Sequence, residues 1–199
     1  MTHRRQFLAG AGGLVLGMAA GTGRLAALAG QQAPDGSQSK DMITPAAQAA
    51  INGGLAYLAA NQAGDGSYGS QSYRGNIAVT SLAALAMMAG GHQPGRNIYG
   101  DNVTRALRYV LDLADARGYL ISRDGQSHGP MYGHGFGVLF LSEVYGMVAE
   151  KALRERLQDT LKRSVKLIVD SQNKEGGWRY HPGSIDADIS VTICQIMGL

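Results

Sequence analysis

One cysteine, one tryptophan and three phenylalanines in 199 residues set the first limits. A lone Cys194 excludes a disulfide framework and any cysteine-rich zinc module. Charge is also scarce, at 17% against the roughly 25% of an average soluble domain. The net charge is +3, and Arg4, Arg5 and Arg24 lie in residues 1–29, which hold no Asp or Glu. Taking those three from the 18 basic residues leaves 15, matching the 15 acidic ones. A neutral body has no general attraction for phosphate backbones, so nucleic acid is not an expected partner. Glycine is abundant instead: 29 residues, about twice its usual share of roughly 7%. Its spacing is irregular, which excludes collagen and points to turns and close helix contacts. With 45% hydrophobic residues the chain can bury a core as one domain, with or without a leader.

Residues 1–29 read as that leader. Arg4-Arg5-Gln6-Phe7-Leu8 precedes a Gly/Ala/Leu run and the small-x-small stretch Ala27-Leu28-Ala29. The arginine pair followed by Phe-Leu resembles a twin-arginine signal, which implies export of the folded chain to the periplasm or another extracytoplasmic space. Only 18 uncharged residues separate Arg5 from Arg24, and many are Gly or Ala, so a stable membrane span is not expected. Arg24 is atypical for a leader and leaves an uncleaved N-terminal anchor open. Residues 30–43 are polar and read as a linker, with a repeat domain over 44–199.

Self-similarity is the main signal in that domain. One unit runs Ile51…Leu58…Gln62…Asp65-Gly66-Ser67-Tyr68, then Asn76-Ile77-Ala78-Val79-Thr80. A later unit runs Val165…Ile168…Gln172…Glu175-Gly176-Gly177-Trp178, then Asp188-Ile189-Ser190-Val191-Thr192. A degenerate copy lies between, for which Tyr119 is the expected aromatic anchor and His134 the expected start of the second helix. Each unit of about 55 residues is predicted to be helix, Gly-rich loop, helix. Thr44-Pro45 supplies a cap and an N1 proline. Ala47, Ile51, Leu55 and Leu58 then share a face. So do Val103, Ala106, Leu107, Val110, Leu111 and Ala114, and likewise Leu153, Leu157, Leu161, Val165 and Ile168. The partner helices, Ile77–Ala89 and Phe136–Val148, are apolar or small almost all round and must be buried on several sides. Alternating amphipathic and buried helices predict two layers.

Gln172…Gly176-Gly177-Trp178 resembles the Gln-to-Trp motif of terpenoid cyclases, and Gln62…Gly66-Ser67-Tyr68 a variant with tyrosine. The wider group is the prenyltransferase and squalene-oxidase repeat family. The resemblance spans about residues 45–199 and implies an all-α fold, an α/α toroid of inner and outer helices. Because family toroids close with about twice as many hairpins, it also implies a fragment, incomplete at the C-terminus, with an apolar inner-helix edge exposed. Gln62, Tyr68, Gln172, Gly176, Gly177 and Trp178 are expected to brace repeat junctions rather than to catalyse.

The resemblance implies three kinds of chemistry. Cyclases protonate an alkene with an Asp-x-Asp-Asp motif. Here Asp186-Ala187-Asp188 lacks the last Asp, so Asp186 and Asp188 are either a raised-pKa acid pair or, for Asp188, a helix cap like Asn76. An asparagine in the equivalent place favours the cap. His128, His134 and His181, with Tyr132, Arg179, Tyr180 and Asp188, are expected on one polar rim, where capping and loop hydrogen bonds are the favoured role and the alternative is to hold a polar ligand or perform acid–base work, with His134 as the catalytic candidate; the ligand expected of the domain is an isoprenoid or a glycan. A polysaccharide lyase shares the toroid and is the third candidate. Few aromatic rings are available to steady a carbocation, which lowers the cyclase. The only cysteine falls in an apolar helix, so no zinc is expected. No thioester run or phosphate loop is present either, and no cofactor is expected. The leading expectation is a binding or structural toroid.

Overall fold

The computed structural model describes residues 43–122 and 129–199. The leader, all but the last residue of the linker, and His128 lie outside the described residues. Pro45–Leu199 forms a compact unit by itself. It consists of α1 (Pro45–Ala60), α2 (Ile77–Ala89), α3 (Gly100–Asp112), α4 (Pro130–Val144), α5 (Lys151–Ser171) and α6 (Ile189–Gly198). A short 3-10 turn covers Gln71–Tyr73. Among the described residues the fold is all-α, without a named strand. No described helix is long and apolar enough to cross a membrane.

The helices follow one another as three helix–loop–helix units, α1–α2, α3–α4 and α5–α6, and pack more closely across the joins between units, α2 on α3 and α4 on α5, than within the second and third units. In the row of second helices, α4 packs against both α2 and α6; α3 packs on α2 and α5, and α5 on α4. The amphipathic stripe of α3 is realised: Val103, Ala106, Leu107, Val110 and Leu111 are buried. In α5, Leu153, Leu157 and Ile168 are buried while Leu161 and Val165 are partly so. Helix α1 departs from expectation, since only Leu55 of its stripe is buried and Ile51 is exposed. Apolar spacing alone does not bury a face; a neighbour must lie against it.

Close approach explains the glycines of α4. A Cβ on Gly137 would lie 2.5 Å from Leu120 and 3.1 Å from Ile77, and one on Gly135 would lie 2.8 Å from the Cys194 backbone. Gly135 and Gly137 thus let α4 sit tightly between its neighbours. Phe140, Leu141 and Val138 are fully buried there, each burial contributing roughly 1.5–3 kcal/mol.

The start of α4 corrects the sequence reading. The helix begins at Pro130, behind a left-handed Gly129 (φ 74°), a full turn before the expected His134, and it ends at Val144 rather than Val148. A proline at the first helical position needs no N–H partner, so the helix starts there without a polar cap. The polar residue before an apolar run that ordinarily marks a helix start is absent here.

Candidate functional site: the repeat junctions and a polar cluster at the start of α6

The three loops between paired helices share one backbone design. The N–H of Ala63, Asp115 and Asn173 donates to the carbonyl of Ser67, Tyr119 and Gly177, at 2.9, 2.9 and 3.0 Å. Between them Gly66, Gly118 and Gly176 turn the chain at φ 91°, 82° and 90°, where a side chain is strained. The next backbone N–H then donates to a side chain on the following helix. Tyr68 donates to Thr80 Oγ1 at 3.0 Å, Trp178 to Thr192 Oγ1 at 3.1 Å, and Leu120 to His134 Nδ1 at 3.2 Å. The counterpart of Tyr68 and Trp178 is therefore Leu120, not Tyr119, and His134 stands where the other units carry threonine. The glycines were the signal for this register: Gly66-Ser67-Tyr68, Gly118-Tyr119-Leu120 and Gly176-Gly177-Trp178 align without gaps.

The motif glutamines serve the same loops. Gln62 Nε2 donates to the Gly66 carbonyl at 2.9 Å, and Gln172 Nε2 to the Gly176 carbonyl at 2.8 Å. Gln62 also bonds the backbone of Asn102 on α3. Trp178 is buried, and its indole N–H donates to the Ile168 carbonyl at 2.8 Å. Tyr68 and Gly177 are likewise buried.

His134 is fully buried, away from any rim. Because Nδ1 accepts the Leu120 N–H, the ring proton belongs on Nε2, which faces the Ser164 carbonyl at 3.3 Å. Tyr119 packs edge-on at 5.4 Å. Burial pushes the imidazole down to about 4, so it is neutral near pH 7. A neutral histidine with both nitrogens engaged inside the core is a structural bridge, which corrects its expected place among the rim residues.

Of the described rim candidates, Tyr132, Arg179, Tyr180 and Asp188 come together around the start of α6. The Asp188 carboxylate caps the helix, accepting the Ser190 and Val191 N–H groups at 2.9 and 3.2 Å and also the Ser190 hydroxyl. Those bonds, with the Ser190 hydroxyl foremost, hold its carboxyl below the usual range, the opposite of a raised-pKa acid. Asp186 pairs with Arg179 at 3.1 Å. The Arg179 guanidinium lies over the Tyr180 ring at 4.9 Å, and Tyr180 sits 6.1 Å from the Tyr132 ring. Tyr132 and Ser190 hydroxyls bond each other, and a Cβ on Gly129 would strike both tyrosine rings at 2.9 Å. His181 is exposed in the same 179–188 loop. Ser190 and Gly129 were not foreseen, since only the fold brings residues 129–132 against residues 180–190.

Two cavities are lined by described residues, the second reaching the 179–188 loop. One of about 300 Å³ is lined by Asp65, Ser67, Arg74, Tyr109, Asp112 and Ser122. A more open one of about 530 Å³ is bordered by Arg117, Arg163, Lys166, Pro182 and Gly183. Its three cations are paired, with Asp115, Asp159 and Asp170. Among the described residues no group of His, Cys, Asp and Glu is arranged to hold a metal. In comparisons with known proteins, no family model, curated protein or solved structure matches this chain.

Proposed function

We propose that this chain is an exported repeat protein of the prenyltransferase and squalene-oxidase type, part of an α/α toroid, that binds a polar, polyhydroxylated ligand such as a glycan rather than catalysing a reaction. One observation carries the reading: the carboxylate in the place of the cyclase acid is a helix cap held ionised by three hydrogen bonds. An acid that must protonate an alkene needs a protonated carboxyl in a dry site, and Asp188 has neither. The cluster beside it combines a guanidinium, two carboxylates and three hydroxyls from Tyr132, Tyr180 and Ser190. Such a mix matches the alternating donors and acceptors of a sugar better than an apolar isoprenoid. The repeated helix–loop–helix units, two of them with Gln-to-aromatic loops, support the toroid reading, and Arg4-Arg5-Gln6-Phe7-Leu8 supports export through the twin-arginine route.

Titration calorimetry with a panel of neutral and acidic oligosaccharides, and with a polyisoprenoid in detergent, tests this reading. Binding of an oligosaccharide that Arg179→Ala and Tyr180→Ala both abolish is expected. Isoprenoid binding alone, or turnover that Asp188→Asn removes from a stably folded variant, would overturn it in favour of the cyclase-like enzyme.

A further inference from the structure

The junction between the first and second units holds the smaller cavity, which shares no residue with the cluster at the start of α6. At about 300 Å³ it is large enough for a small ligand, and its walls come from the loop after α1, the end of α3 and the loop that follows α3. The first of these walls is held in place by backbone bonds. A 3-10 turn over Gln71–Tyr73 closes as the Tyr73 N–H donates to Ser70 and the Arg74 N–H to Gln71, at 2.9 and 3.2 Å. The Tyr109 hydroxyl of α3 then donates to the Gly75 carbonyl at 2.6 Å. Gly75 has φ 65°, and a Cβ there would lie 2.7 Å from that hydroxyl, so the contact calls for glycine. The backbone next to Arg74 is thereby tied to α3.

Ser67 is the residue that points to a ligand. It is 3% exposed and lines the cavity. Its N–H donates to Asp65 Oδ1 at 3.0 Å, and its carbonyl accepts the Ala63 N–H. Among the described residues its hydroxyl has no hydrogen-bond partner. The turn does not need that hydroxyl, since Tyr119 and Gly177 hold the same place in the other units and close the same turn through their carbonyls. A buried hydroxyl without a partner is costly, and a polar group of a ligand in the cavity would satisfy it.

The remaining polar groups set the class of ligand. Asp112 is paired with Arg156 at 2.8 Å, and Asp65 is already engaged by the Ser67 N–H. With Arg156 counted, two carboxylates face two guanidiniums, so no net charge selects an ion. The Arg74 guanidinium is exposed and makes no ion pair among the described residues. Donors, acceptors and the ring of Tyr109 thus line one small space. A neutral sugar ring, with hydroxyls around its edge and C–H groups on its faces, matches that mixture.

We propose that this cavity binds a neutral monosaccharide unit, with the Ser67 hydroxyl and Arg74 bonded to sugar hydroxyls and the Tyr109 ring against a C–H face. The site does not rest on the ligand reading of the α6 cluster.

Amide nitrogen–proton correlation spectra of the full chain test it, with D-glucose, D-galactose, D-mannose, L-alanine and inorganic phosphate titrated separately. At least one sugar is expected to shift the amides of residues 65–75. Ser67→Ala and Arg74→Gln are each expected to weaken that sugar by about five- to tenfold, while Arg179→Ala leaves its affinity unchanged. Arg74 is exposed, so its variant keeps the fold and decides the matter if Ser67→Ala does not fold. The proposal is overturned if no sugar shifts these amides, or if only alanine or phosphate does. Sugar binding that survives Arg74→Gln, or that Arg179→Ala abolishes, also overturns it, because the sugar then sits elsewhere.

Discussion

The loop of the third unit and the loop of the middle unit close the same backbone turn with different chemistry. In the third, Trp178 is the buried anchor and Thr192 receives its N–H; in the middle, Leu120 is the anchor and His134 the receiver. Threonine supplies a hydroxyl that also leans on its own chain, as Thr80 does in donating to the Asn76 carbonyl. Histidine reaches further, and its second nitrogen spans to Ser164 on α5. The difference shows that the conserved quantity within this chain is a hydrogen bond to the loop rather than a residue type. A buried N–H left without that bond is costly, so each unit satisfies it by some means.

The comparison breaks most visibly at the anchors. Trp178→Ala is expected to cost roughly 3–5 kcal/mol, because it empties a buried ring site and removes a hydrogen bond to Ile168. A denaturant titration showing less than about 1 kcal/mol would mean that the ring braces nothing.

The receivers differ next, and pH separates them. The His134 imidazole falls from its ordinary 6.5 to about 4 on folding, so below pH 6.5 the unfolded chain binds the extra proton. Its contribution is present above about 6.5 and is lost as pH falls toward 4, by roughly 3 kcal/mol in all. Comparison of wild type with His134→Gln across that window isolates the effect. Parallel pH profiles for the two would show that the ring titrates normally.

The loop glycines sharpen the contrast between the middle loop and the third. Gly118→Ala meets both the strain of a positive φ and the α5 backbone, whereas Gly176→Ala meets the strain alone. The first is expected to cost roughly 1–3 kcal/mol more than the second, measured as a difference in unfolding free energy. Equal costs would mean that α5 gives way.

The smallest effect is expected at the two caps. Asp188→Asn should leave the thermal midpoint nearly unchanged, since Asn76 caps α2 through the same N–H geometry. Asp188→Ala should lower it modestly. A large drop for the asparagine variant would show that the charge, rather than the cap, matters.

Much of this was legible in the residues. The helix–loop–helix period, the stripe of α3, the burial of Trp178 and the capping by Asp188 follow from local patterns that need no distant partner. The middle register is ambiguous in the sequence because Tyr119 offers an aromatic ring beside the anchor Leu120, and because a proline start lacks a polar cap. The Gly-x-x alignment held the answer, since a positive φ admits few other residues. The polar cluster was legible only in part: residues of the 179–188 loop are neighbours in sequence, but Tyr132 joins them across the packing of α4 on α6.

By itself, then, the sequence determined which segments are helical, where the loops turn and which side chains cap or brace them, because those properties depend on φ, hydrogen bonds and apolar spacing within a few residues. Tertiary structure alone decided what covers each face. Ile51, Ile189, Ile193 and Ile196 are as apolar as Ile77, yet Ile77 is buried and they are exposed. It also moved His134 from an expected surface to the core. Burial is a property of two surfaces, and a periodic pattern describes only one of them.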